Sequence, residues 1–238
     1  MSDQDGPLLS VRGDARQTVA PDYVILAGAI ESSQGSKAKA LRAVAASLDR
    51  LTSDLASLGG VALGAETGRR PLTWSAHSAT TYLERDHDKK TGRYEPTGQV
   101  KATVSVVIAV RAFDLMDALG TVLASHESLS VQEVGWHVDW DNSAWPQVRA
   151  AAIQAAVRKG RDYAAALGGA LRSVEHIADV GLLGSGGEHW QSTSARRASA
   201  ASMGGEGSDT PSLEPVPQEL TATIEARFTA VGVCLPEP

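Results

Sequence analysis

The strongest constraint on what this chain can fold into is an apolar stripe that begins just after Lys37. Ala38, Leu41, Val44, Leu48, Leu51, Leu55 and Leu58 recur at steps of three and four, the period that lines one face of an α-helix. The opposite face carries Lys37, Lys39, Arg42, Asp49 and Asp54, and Gly59-Gly60 closes the run. The spacing predicts a helix of about six turns with a glycine stop. A second helix is predicted from Ser143 to Leu167. Asp141, Asn142 and Ser143 supply capping groups before it, Pro146 falls in its first turn, and Gly168-Gly169 ends it. Its expected apolar face is Trp145, Val148, Ala152, Ala156, Tyr163 and Leu167.

Between and around these helices the period drops to two, the signature of strands. Leu8–Arg12 is a short strand closed by Gly13-Asp14, and Tyr23–Ile30 follows Pro21-Asp22. Val61–Leu83 and Gln99–Val110 read as the arms of a long β-hairpin whose charged tip is Asp86–Arg93. A short helix over Phe113–Ala124 is followed by an alternating strand over Ser130–Trp140, then by strands at Leu171–Val180 and Leu220–Val233. Long helices returning to strands beside a hairpin predict an α+β fold with a predominantly antiparallel sheet.

Composition narrows the function classes. Hydrophobic residues make up 42% of the 238, enough to argue against wholesale disorder, yet only 5% are aromatic and 37 are alanine. The core must therefore come from Leu, Val and Ile on regular faces. The formal charge of −6 lacks the clustered Lys and Arg of a nucleic-acid or anionic-membrane surface. The lone Cys234 rules out an intramolecular disulfide and any multi-cysteine zinc site. Its expected role is a small buried or edge hydrophobe. Nothing in the sequence is apolar for long enough to span a membrane as a helix. Met1–Ser10 is acidic and polar rather than leader-like, so the expected location is cytoplasmic. Residues 181–210 hold seven glycines and six serines, and 181–214 is expected to be a flexible Gly/Ser/Pro-rich insertion before the last strand.

Several runs in order resemble the SIMPL-domain (DUF541) family. They are Val11-Arg12-Gly13, Pro21-Asp22 ahead of a strand, and a long Ala/Leu helix ending in Leu58-Gly59. The hairpin arm Gly98–Val110, the Ala-rich helix through Arg158-Lys159 to Leu167-Gly168, Val174–Ile177 and Pro217–Phe228 continue the likeness. The resemblance implies a single domain over 1–238, in which βαβ-like units pair into sheets flanked by two long helices and one short one. It also implies a bacterial protein that assembles with copies of itself and is linked to stress tolerance, with no catalytic residues to carry over. Two departures stand out. Many relatives are exported behind a signal peptide, and the hairpin arm commonly carries Gly-Tyr where this chain has Gly98-Gln99.

His137 and Asp139 share a strand face and, with Glu133, could hold a metal or trade protons. The blander reading makes them the wet side of a strand whose dry side is Val134, Trp136, Val138 and Trp140. A speculative ligand face therefore comprises Trp136, His137, Asp139 and Trp140. Asp86-His87-Asp88 reads as a solvated turn. Gly184-Ser185-Gly186-Gly187 fits neither a phosphate loop nor a nucleophile elbow. Arg196-Arg197-Ala198-Ser199 matches a basophilic kinase pattern, which makes Ser199 a speculative phosphosite. No catalytic, cofactor or metal motif emerges. The expectation is a non-enzymatic, homo-oligomeric assembly or interaction protein; the alternative is a small-ligand binder or enzyme with a pocket near Trp136, His137, Asp139 and Trp140.

Overall fold

The computed structural model describes residues 6–64, 69–88, 93–183 and 214–234. The elements in order are β1 (Leu8–Val19), β2 (Tyr23–Gln34), α1 (Lys37–Ser57), β3 (Val61–Ala62), β4 (Leu72–Ala76), β5 (Thr80–Asp88) and β6 (Arg93–Val110). A 3-10 turn at Phe113–Leu115 then leads into α2 (Met116–Ser125), β7 (Leu129–His137), α3 (Ala144–Ala166), β8 (Ala170–Asp179) and β9 (Gln218–Val231). The fold is α+β, and its ladders are antiparallel apart from the two-residue β3–β4 pair. Among the described residues α1 joins β2 to β3 and α2 joins β6 to β7; each pair runs parallel but has other strands between its members, so no βαβ unit of adjacent strands is formed. The chain forms two compact units, one holding β1, α3, β8 and β9, the other everything from β2 to β7.

In the first unit the strand order is β1-β9-β8. β9 alternates, burying Leu220, Ala222, Ile224, Ala226, Phe228 and Ala230 on one face, with Thr229 also buried on the other. α3 lies over this face with Ala144, Val148, Ala152, Ala156, Gly160 and Ala164, a stripe at a strict four-residue step. The expected stripe is corrected at its large residues: Tyr163 is 50% exposed, while Trp145 and Leu167 are half-buried. Small residues prevail because the helix runs so close to the sheet. A Cβ on Gly13 would lie 2.1 Å from the Ala152 carbonyl oxygen and 2.6 Å from the Ala156 nitrogen. Gly13 therefore does not end the first strand, as its type suggests. It lets β1 continue beneath the helix.

The second unit has the order β3-β4-β6-β2-β7, with β5 alongside β6. Its core joins Val24, Leu26 and Ile30 of β2, the even residues Ala102–Val110 of β6, Leu72, and the inner faces of α1 and α2. α1 buries Ala40, Val44, Ser47, Leu51 and Leu55. Leu41, Leu48 and Leu58 pack against the rim of that core, and Ala38 is exposed. The predicted face is thus right on average, rotated by part of a turn. The Ser36 hydroxyl accepts from the Lys39 N–H at 3.4 Å, a cap on the first turn. Gly59 and Gly168 have φ of +79° and +74°, where a side chain would be strained, and each helix end folds back through the same pair of bonds. Gly60 N donates to Leu55 O, and Gly169 N donates to Ala164 O.

The expected hairpin exists as β5–β6, but its first arm divides. β4 pairs with Val106–Val110, and β5 pairs with Arg93–Thr103 farther down the same strand. β7 stops at His137 rather than Trp140. Gln132 is an extra residue opposite Ala27 and Gly28, a bulge that resets which side chains face the core. Cys234, expected to be a small buried or edge hydrophobe, is exposed and lies just past the end of β9. It follows the turn at Gly232 (φ +68°), and its N–H is bound to Leu167 O at 2.9 Å. Ser199, Gly184–Gly187 and most of the expected 181–214 insertion lie outside the described residues. Among the described residues no helix is long and apolar enough to cross a membrane.

Candidate functional site

His137 and Asp139 do meet in one cluster, although the side chains that complete it come from distant parts of the second unit. Pro21 is buried at the entrance to β2, which sets Asp22 and Tyr23 beside the end of β7. Asp22 N donates to His137 O at 2.8 Å, and Asp139 N donates to the Asp22 carboxylate at 2.8 Å. The Tyr23 ring is stacked on His137 with centroids 5.1 Å apart, and the Arg111 guanidinium lies 4.5 Å from the Tyr23 centroid. Arg111 stands just past the last residue of β6 and grips Asp139 with both fork nitrogens, at 2.6 and 3.0 Å. Arg69 adds a second cation 3.5 Å from Asp139 Oδ2.

This geometry fixes the chemistry of Asp139. The residue is 8% exposed. The hydrogen bonds from Arg111 hold its carboxyl below the usual aspartate range despite the opposing cost of burial, and the charges of Arg111 and Arg69 add to the effect. A carboxylate held ionised by a bidentate arginine is a poor proton acceptor near neutrality and already has cations on both oxygens. The cluster is a clasp binding the entrance of β2 to the exits of β6 and β7.

The other candidate residues go elsewhere. Glu133 is opposite Ala27, four residues from His137 and so about 13 Å along the strand, too far to share an ion with it. Trp136 packs against the core, its ring edge-on to Phe113 with centroids 5.5 Å apart. Trp140 is 82% exposed. The anticipated dry and wet sides are therefore exchanged at the end of the run. Asp139 is buried and Trp140 solvated, because β7 has ended and the chain has turned. Arg111 and Tyr23 escaped the sequence reading. Their only local signal is a single arginine closing an apolar strand and a tyrosine opening one.

Two further polar sets line the sheets. Lys101 pairs with Glu31 at 2.5 Å across β6–β2, and that hydrogen bond raises the lysine pKa. On the face of the first unit away from α3, the Glu175 carboxylate accepts from the Thr229 and Ser173 hydroxyls, chiefly the former, and its pKa falls. Glu225 is lowered in the same way by Arg12, 3.0 Å away.

Several large exposed apolar groups lie on strand edges. On the β5–β6 hairpin Tyr82, Leu83 and Tyr94 are 51%, 62% and 67% exposed, and β6 residues 93–99 pair with β5 alone. On β8, the outer strand of the three-stranded sheet, Val174 and Ile177 are 51% and 48% exposed.

A family model described as SIMPL, protein of unknown function (DUF541), matches residues 9–228. No curated protein matches the chain.

Proposed function

This chain belongs to the SIMPL (DUF541) family, and from that premise we propose that it is a non-enzymatic assembly or interaction protein that associates with copies of itself. The observation that carries this reading is the concentration of apolar side chains on open strand edges, Tyr82, Leu83 and Tyr94 on the hairpin and Val174 and Ile177 on β8. Open edges present unpaired backbone groups, and soluble proteins ordinarily blunt them with charge or cover them. A two-stranded arm such as β5–β6 beyond Val100 is also marginal by itself in water and gains from a third strand or a packing surface. The clasp around Asp139 fits the same role, since it spends its charges on holding the scaffold. A contribution to stress tolerance is part of the proposal, supported by the family likeness.

Light scattering coupled to size exclusion at micromolar protein tests the reading. A mass at a multiple of 24.8 kDa is the expected result. A monomer throughout the concentration range would sink it.

A further inference from the structure

Among the described residues β8 pairs on one side only, and its irregularity gives the other edge an unusual symmetry. In the ladder with β9, Val174 is opposite Phe228 and Ile177 opposite Ala226, whereas His176 is opposite Arg227. Glu175 is the extra residue of a bulge between them. Phe228 and Ala226 belong to the buried, α3-covered face, so Val174 and Ile177 lie on that side of the sheet. Ser173, His176 and Ala178 lie on the other side, opposite Thr229, Arg227 and Glu225. Glu175 joins them, because its carboxylate accepts from Ser173 and Thr229.

From Ser173 to Ala178 the faces therefore read outer, inner, outer, outer, inner, outer, the same in both directions. This matters for self-association. Two copies of one strand paired antiparallel about a twofold axis place opposite residues on the same face. In a regular strand Val174 and Ile177, three apart, would face opposite ways and could not be partners. The bulge at Glu175 makes them equivalent. A bulge commonly discourages edge pairing, but this one brings the edge into register with its own reverse.

We propose that β8 is a self-complementary edge that joins two copies of this chain, antiparallel, about a twofold axis between Glu175 and His176. This inference rests on the homo-oligomeric reading above and names its contact. Val174 meets Ile177 of the second copy twice, covering apolar groups that α3 leaves half exposed. Glu175 meets His176 of the second copy twice, an acid opposite an imidazole, and Ser173 meets Ala178 without crowding. The two three-stranded sheets become one six-stranded sheet.

The test uses the full chain in two measurements. Ile177→Lys alters an exposed position and keeps the fold, checked by circular dichroism; it should raise the self-association constant for dissociation at least tenfold in analytical ultracentrifugation. Val174→Cys/Ile177→Cys in a Cys234→Ser background should give an oxidised dimer on non-reducing gels. Cα atoms directly opposite across a ladder fall within disulfide reach. Each single cysteine variant should remain uncrosslinked, since its copies would be several residues apart. Self-association that survives Ile177→Lys, with no disulfide in the double variant, would overturn the β8 contact and leave the homo-oligomer standing. A wild-type chain that stays monomeric overturns both, and leaves the edge to a strand from another protein.

Discussion

The two units solve one packing problem in opposite ways. Each lays a long helix on an antiparallel sheet. In the second unit the contact is made of large aliphatic groups, Leu51 and Leu55 of α1 against Leu26, Ile30, Val106 and Leu72. In the first, α3 presents alanines and a glycine to β1 and β9, and Phe228 is the largest fully buried side chain. Large side chains separate helix from sheet and interdigitate. Small ones let the backbones approach until Gly13 has no room for a methyl group. The same helical periodicity thus supports both a thick interface and a thin one, and the thin one is sensitive to addition rather than removal.

Mutations can sharpen that contrast. Leu51→Ala, at a position fully buried in the thick interface, should cost about 2–5 kcal/mol in urea unfolding, through lost burial and the cavity left behind. Gly13→Ala should cost about 1–3 kcal/mol despite adding apolar area, because the clash is with α3 backbone. If Gly13→Ala is neutral and a truncation in α3 is the costly change instead, the thin interface behaves like the thick one and the distinction fails.

Arg111→Ala tests the clasp. Leaving Asp139 without its fork should lower stability by about 1–3 kcal/mol at pH 7. The pH dependence has a definite sign. The folded-state pKa of Asp139 is depressed, so its contribution is complete above the ordinary aspartate range and is lost as the pH falls through the folded value. The stability gap between wild type and Asp139→Asn should therefore narrow on acidification below about pH 4. A gap constant down to pH 2 would remove the ion pair as its cause. The smallest effect expected is for Ser36→Ala, about 0.5–1 kcal/mol for a lost helix cap, measurable as a shift in the thermal midpoint.

Much of this molecule is legible along the chain. Both long helices, their glycine stops and the β5–β6 hairpin follow from short-range rules, since a 3.6-residue period and a Gly-Gly stop act within a few turns. The candidate cluster was half legible. His137 and Asp139 stand out because they are two apart, but Asp22 lies 117 residues from Asp139 and Arg111 lies 28 from it, with no local cue to either contact. Alternation failed at Asp139 and Trp140 because β7 ends at His137 and the chain turns, and that strand end leaves no mark in residue type.

The sequence by itself determined the element types, the α+β class and the alanine-rich character of α3, because propensity and periodicity are local. Only the tertiary structure decided the division into two units, the turn of α1 that faces the core and the reason β1 passes through Gly13. It alone brought Arg111 to Asp139 and made Val174 equivalent to Ile177. Each of these depends on backbone separation and ladder register, which are set between segments far apart in the chain.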